Sequence, residues 1–177
     1  MGILILVMGV PASGKTRLSK ELVKRLHCTY LDNNFIADAF YSETRVSNEY
    51  KRLRPSLYKA LYRITEENLN LGNSVLLDVP HITHMQDVNW RRFLSNLVEK
   101  TRSSLKIIRC YCSESELRAR IMERGEDRDN WKLNNWKEFL TNEPIMVDIP
   151  FPHIDIDTEQ SMETIILRAL KYINNNE

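Results

Sequence analysis

Cysteine is scarce in this chain. Its three thiols, Cys28, Cys110 and Cys112, are too few and too odd in number for a disulfide framework. Cys110 and Cys112 flank Tyr111 in an apolar strand pattern and read as small buried strand residues, because zinc sites space their ligands differently. Charge of one sign is also missing. The 25 basic and 24 acidic residues leave a formal net charge of +1, so no broad field marks the chain for a long polyanion or a membrane surface. A local basic groove stays open. No apolar run reaches bilayer-spanning length. The run Ile3 to Met8 is too short, and lacks the basic lead-in, for a leader peptide. Leu6 stands where a myristoylation signal needs Ser or Thr. A reducing, cytoplasmic setting is expected.

What is present suits one globular domain over 1–177. Of the 177 residues, 42% are hydrophobic and 28% charged, and a chain of this length can bury a core without staples. Strand and helix patterns alternate. Ile3 to Met8 is a continuous apolar run fit for a strand buried on both faces. Leu18, Leu22 and Leu26 share a helical face. Cys28 to Leu31 is a short second strand. Leu57, Leu61 and Ile64 repeat at helical spacing until Gly72-Asn73, and Ser74 to Leu77 is a third strand. Trp90, Phe93, Leu94, Leu97 and Val98 form a helical stripe. Leu105 to Cys112 is a fourth strand. Ser113 and Glu116 make a capping box before Leu117 and Ile121. Ile154 and Ile156 mark a fifth strand, and Met162 to Ile173 a last amphipathic helix. Strands separated by helices predict a parallel sheet with right-handed crossovers. The segment 125–142 is polar, carries Trp131 and Trp136, fits no core pattern and is expected to be a mobile lid insertion.

The sharpest feature is Gly9-Val10-Pro11-Ala12-Ser13-Gly14-Lys15-Thr16, a full G-x-x-x-x-G-K-[ST] between a strand and a helix. Glycines allow backbone angles and close approach that a side chain would block. Successive amide N–H groups and the helix N-terminus form an anion nest. Lys15 is placed to reach the β- and γ-phosphates of ATP, and the Thr16 hydroxyl to ligate Mg²⁺.

Ligands of open α/β sheets bind beyond the carboxyl ends of the strands. Asp32 ends the second strand and Asp78 the third, so both are expected at the phosphate rim. One would accept a proton from an attacking hydroxyl, and the other would organise Mg²⁺. The competing readings are an N-cap at Asp32 and a turn carboxylate at Asp78. His81 and His84 follow, facing an acceptor or lying in a surface loop. Arg120, Arg124 and Arg128 recur every four residues and share a face if their helix continues. Delivered by a closing lid, they would neutralise charge on a transferring phosphoryl. Otherwise they form a solvated face paired with Glu116, Glu123 or Asp127. Arg45, Arg52 and Arg54 read as solvated.

With these residues the chain resembles a small P-loop kinase. That grouping includes zeta-toxin-like kinases, polynucleotide 5′-hydroxyl kinases, gluconate and shikimate kinases, chloramphenicol phosphotransferases and many AAA-domain ATP-binding proteins. The resemblance implies a P-loop NTPase three-layer sandwich whose five-stranded parallel sheet is ordered 2-3-1-4-5, with a helical lid. It implies Asp32 as the acceptor base, Asp78 as the second strand-end carboxylate, and Arg120 and Arg124 as lid arginines. The run Arg128 to Leu133 is similar to the lids of the AAA-domain members. Two patterns depart. Val79-Pro80-His81 replaces the Gly-rich triplet of a shikimate kinase, and the guanine-reading and Asp-x-x-Gly motifs of a GTPase are missing.

The expected function is ATP-dependent transfer to a hydroxyl of a small molecule: a sugar, a nucleoside or an antibiotic-like compound. A polynucleotide 5′-hydroxyl kinase, or a regulatory nucleotide-binding ATPase with no acceptor of its own, is the alternative. Lys15, Asp32, Arg120 and Arg124 are the expected catalytic residues. Gly9, Pro11, Ala12, Ser13, Gly14, Lys15, Thr16 and Arg128 would bind nucleotide, and Thr16 and Asp78 the metal. The near balance of charge favours a small acceptor, with Trp131, Trp136 and Tyr41 bounding its pocket. A monomer or homodimer without membrane attachment is expected.

Overall fold

A computed structural model describes residues 2–40 and 47–175. Tyr41 and Arg45 lie outside them. Five strands form one all-parallel sheet: β1 (Ile3–Met8), β2 (Thr29–Asp32), β3 (Val75–Asp78), β4 (Ser104–Tyr111) and β5 (His153–Asp157). Their order is β2-β3-β1-β4-β5, the expected 2-3-1-4-5. The central strand β1 is apolar throughout because both its faces are covered. Leu4, Leu6 and Met8 enter one core and Ile5 and Val7 the other, the alternation that a strand's two-residue period requires.

Helices cover both faces. Those with described bounds are α1 (Lys15–Leu26), α2 (Asn33–Phe40), α3 (Asn48–Asn70), α4 (Val88–Lys100), α5 (Glu114–Arg124), α6 (Asn130–Asn134), α7 (Trp136–Asn142) and α8 (Met162–Asn174). Short 3₁₀ turns cover Thr83–Gln86 and Asp127–Asp129. Leu18 and Leu22 of α1 pack with Ile165, Ile166, Ala169 and Ile173 of α8 over one face. Leu61 of α3, Leu94 of α4 and Leu117 of α5 cover the other. None of the described helices is long and apolar enough to cross a membrane.

Local chemistry sets the helix ends. Ser113 accepts from the Glu116 N–H and opens α5, as its capping box predicts. Gly125, at φ 60°, closes it in the left-handed region that glycine tolerates. Helix α5 therefore stops at Arg124, and Arg128 comes from the following 3₁₀ turn, not from a continued helix. In the 125–142 segment the packing departs from the sequence reading, which found no core pattern there. Phe139 is fully buried in the core, with Leu133, Trp136 and Leu140 packed against it. Its apolar residues were masked in sequence because they sit on two short helices that break between Asn134 and Trp136, which destroys any long period.

Candidate active site

The site begins with the turn that joins β1 to α1. Gly9 has φ 147°, and a Cβ there would lie 2.3 Å from the Cys110 carbonyl oxygen, so only glycine lets the loop pass so close to β4. Ala12 (φ 64°) and Gly14 (φ 86°) are also left-handed. Alternating right- and left-handed backbone turns successive N–H groups inward into an anion nest. The Ser13 N–H closes a turn on the Val10 carbonyl at 3.2 Å. Gly14 is the N-cap of α1 and offers no side-chain cap, which leaves the helix's first N–H groups to a ligand.

Lys15 starts α1. It is buried and donates to the Val10 carbonyl at 2.8 Å, folded across its own loop. Burial pushes its ammonium pKa below the ordinary range, while Asp78 pulls it up. The Thr16 hydroxyl donates to Asp78 Oδ2 at 2.6 Å. Asp78 is only 1% exposed. Burial raises its carboxyl pKa, Lys15 opposes that rise, and Asp32 adds to it. Its Oδ1 is buried and has no hydrogen-bond partner among the described residues. A phosphate nest, a threonine hydroxyl and a buried carboxylate with an oxygen to spare form a donor set that fits Mg²⁺ with a nucleoside triphosphate.

Asp32 is brought next to this group. It pairs in register with Asp78 across β2 and β3. Its Oδ1 accepts from the Asn34 N–H at 2.7 Å, so the capping reading of Asp32 is present in the structure. Its Oδ2 accepts from the Tyr30 hydroxyl at 3.2 Å, and the same hydroxyl lies 3.2 Å from Asp78 Oδ2. Asp32 itself does not line the cleft; Asn34 does.

The cleft holds about 310 Å³ and is walled by the phosphate loop on one side and by cations on the other. Arg120, Arg124, Arg128 and Lys132 all face it. Each is held differently. Arg120 binds Glu116 at 2.8 Å and Thr158 Oγ1 at 2.9 Å, so it leans toward the loop after β5. Arg124 and Lys132 both bind Asp129, which is almost fully buried. Burial alone would raise the Asp129 carboxyl pKa, but Lys132 and Arg124 override it and hold the pKa low. Arg128 pairs with Glu126 and, at 3.1 Å, with Asp38 of α2. The cations therefore hold these carboxylates rather than Glu123 or Asp127.

Several members of the site escaped the sequence reading. Tyr30, Asn34 and Thr158 carry no motif of their own, and Asp129 and Lys132 stood without a role inside the lid-like run Arg128 to Leu133. The signal for Lys132 was present, one turn beyond Arg128, but became useful only once the helix break was known. His81 also departs from the surface-loop reading, since it is buried. Trp136 packs on Phe139 and donates to Glu114 at 2.7 Å, so it is part of the segment's packing; Trp131 is the more open ring. Cys110 and Cys112 are buried strand-side thiols, and no group of three or more metal-ligating side chains occurs among the described residues.

A family model described as an AAA domain matches residues 4–142, and the chain belongs to that family. Its fold is that of the small P-loop kinases. It superposes with a TM-score of 0.74 on a Chloroflexus aurantiacus protein whose kinase activity is inferred, at 22% identity over 97% of this chain and 98% of that one. A gluconokinase from Sinorhizobium meliloti matches with a TM-score of 0.60, at 18% identity over 96% and 90% of the two chains. The APS kinase of Mycobacterium tuberculosis, solved with AMPPNP and APS, matches with a TM-score of 0.63, at 14% identity over 98% of each chain. The sequence has no match among curated proteins.

Proposed function

We propose that this protein is a kinase that transfers the γ-phosphoryl group of ATP, with Mg²⁺, to a hydroxyl of a small molecule. The observation that carries this reading is the single cleft in which the phosphate loop, Lys15, Thr16 and Asp78 face Arg120, Arg124, Arg128 and Lys132. Phosphoryl transfer asks for little covalent help from a protein. It asks for positioning and for positive charge around the three equatorial oxygens as bonds loosen.

The loop N–H groups and Lys15 would bind the β- and γ-phosphates, and Thr16 with Asp78 would hold the metal. Held there, Mg²⁺ would supply positive charge against the phosphates. Arg124 and Lys132, prepositioned on Asp129, would meet charge on the transferring group, and Arg128 would do so from the same segment. Arg120 stands next to Gly14 and Thr158 and would lie along the nucleotide. Residues 125–142 would act as a lid that closes on the nucleotide.

We assign Asp32 as the proton acceptor. Asp78 is engaged with Thr16, while Asp32 Oδ2 already accepts from a hydroxyl, that of Tyr30, which an acceptor hydroxyl would replace. The proton would pass to Asp32 as the acceptor oxygen bonds phosphorus and the ADP oxygen leaves with the bond's electron pair.

Kinases of sugars and of similarly small metabolites share this fold, as the gluconokinase does, which supports a small acceptor. The test is a panel of hydroxyl compounds with γ-labelled ATP, scored against the background without acceptor. A sugar, nucleoside or aminoglycoside-type compound labelled well above background supports the reading. A 5′-hydroxyl oligonucleotide labelled faster than every small compound, with steep salt dependence, would replace it with a polynucleotide kinase. Hydrolysis that no acceptor stimulates would replace it with a regulatory ATPase.

A further inference from the structure

A second cavity, of about 750 Å³, lies between α3 and α4 and shares no lining residue with the phosphate cleft. Tyr58 and Tyr62 of α3 form one wall, and Trp90 and Phe93 of α4 the other. Residues 54, 58, 62 and 66 stand one turn apart and so form a single face of α3. His81 and His84, from the segment after β3, make the floor. The His81 ring centroid is 4.8 Å from that of Tyr58, 4.3 Å from His84 and 5.2 Å from Trp90. It stacks nearly parallel to Tyr62 at 5.8 Å. Flat aromatic surfaces on several sides of one space suit a flat ring.

The box is not closed on itself. His81 is 1% exposed, yet neither of its ring nitrogens has a hydrogen-bond partner among the described residues. His84 Nδ1 shares that condition. Buried polar atoms are nearly always paired, and leaving them unpaired costs stability that an all-apolar wall of the same shape would keep. Burial holds the His81 pKa well below the ordinary imidazole range, so at neutral pH the ring offers one N–H and one accepting nitrogen.

The rim differs in character from the floor. Arg54, Lys59, Arg63 and Lys100 line it with Glu66 and Glu67, and Lys100 is taken up by Glu66. Lys59 and Arg63 are exposed and have no ion pair among the described residues. The Arg54 guanidinium lies 5.5 Å from the Tyr58 ring centroid, over the mouth of the box.

We infer that the groove between α3 and α4 is a second ligand site, which takes a planar aromatic anion bearing a ring N–H. The ring enters between the tyrosines and Trp90, its N–H meets the accepting nitrogen of His81, and its anionic group stays at the rim with Arg54, Lys59 and Arg63. The site is independent of the phosphate cleft in its residues. It meets the cleft where Pro80 lines the cleft and His81 the groove, and Glu143 stands within electrostatic reach of Lys15 on one side and Arg54 on the other.

Indole-3-carboxylate has the required shape, charge and N–H, and serves as the probe. It is titrated into ¹⁵N-labelled protein with and without AMPPNP and Mg²⁺. The Trp90 indole signal is identified by its loss in Trp90→Phe. The Trp90 indole and His81 ring signals should shift saturably, with the Trp131 and Trp136 signals unmoved and the affinity unchanged by AMPPNP. Naphthalene-2-carboxylate keeps the shape and charge but lacks the N–H, and should bind about fivefold more weakly. A Lys59→Glu, Arg63→Glu variant alters only exposed rim residues and should bind indole-3-carboxylate about tenfold more weakly or worse. The site is refuted by a Trp90 signal that never shifts saturably, or by displacement of the probe by AMPPNP. Equal binding of the naphthalene compound, or unchanged affinity in the charge-reversed variant, refutes the assigned ligand chemistry.

Discussion

Asp32 and Asp78 are register partners at the ends of β2 and β3, and one phenolic hydroxyl, that of Tyr30, stands 3.2 Å from an Oδ2 of each. That hydroxyl has one proton and can serve one carboxylate at a time. Two acids, a phenol and Lys15 thus form a compact polar cluster under the phosphate loop. Burial, followed by the charges of Asp78 and Asp32, pushes the Tyr30 pKa far up, so the phenol stays protonated and acts as a donor.

Asp32→Asn removes the proton acceptor but keeps an oxygen for the Asn34 N–H. Transfer to an identified acceptor should fall by about 10²–10⁴-fold, with ATP affinity little changed. Tyr30→Phe should slow transfer by about tenfold or less, because once the acceptor takes its place at Asp32 the phenol is left with only its contact to Asp78. Single-turnover transfer with ATP affinity by calorimetry checks both. Collapsed ATP binding in Asp32→Asn would place that residue with the metal or the fold instead.

Lys15→Ala should reduce turnover by about 10²-fold or more, the scale for losing one charged donor at developing negative charge. Thr16→Ala should weaken ATP binding mainly when Mg²⁺ is present. Calorimetry with and without Mg²⁺ distinguishes the two, and an unaltered Lys15→Ala protein is incompatible with the phosphate-loop role.

Asp129→Asn leaves Arg124 and Lys132 without their anchor. The expected loss of stability is about 1–3 kcal/mol, below that of a fully buried pair because both cations reach solvent. Turnover should drop by about tenfold with ground-state ATP affinity nearly kept, since the displaced charges act on the transition state. Thermal unfolding and steady-state kinetics on the same variant test the two halves separately.

Asp78 and Asp129 should give opposite pH signatures. The Asp78 pKa is raised above its ordinary value near 3.8, so its ionised form costs the nucleotide-free protein stability. That contribution favours folding below the unfolded value and is lost as pH rises through the folded one. The Asp129 pKa is lowered below 3.8, so its stabilisation is present above that value and is lost as pH falls through the folded one. Mg²⁺ needs the Asp78 carboxylate, so Mg²⁺-dependent ATP affinity should start to weaken at a higher pH than an ordinary aspartate would dictate. Titrating that affinity from pH 4 to 8 in wild type and Asp78→Asn tests it; the variant should lack this acid limb.

Closure of the 125–142 segment should slow amide exchange there when AMPPNP, Mg²⁺ and acceptor are present. Hydrogen exchange read by mass spectrometry measures it. Equal exchange with and without ligands would make the segment a fixed wall.

The phosphate loop was legible in the sequence because its function lies in consecutive residues. Glycine spacing dictates the backbone, and Lys15 and Thr16 follow within the same turn. The sheet was legible for a related reason: β1 and most of β3 are buried on both faces and show it as apolar runs, and β4 keeps a buried apolar centre although Lys106 and Arg109 interrupt it. Their order came from resemblance, because local pattern does not encode which strand sits beside which. Asp32 and Asp78 could be placed at strand ends, but 46 positions separate them, and only β2–β3 pairing in register puts both beside Tyr30. The arginine spacing suggested one helical face, yet Gly125 ends the helix. Arg128 and Lys132 arrive at the cleft by a separate route, fixed by burial of Asp129 and Phe139. The aromatic groove was the least visible of all. Tyr58, Tyr62, His81, His84 and Trp90 belong to three different elements, and each alone reads as an ordinary helix or loop residue. Only the packing of α3 against α4 makes one cavity of them, because contact between elements depends on their docking and not on any local period.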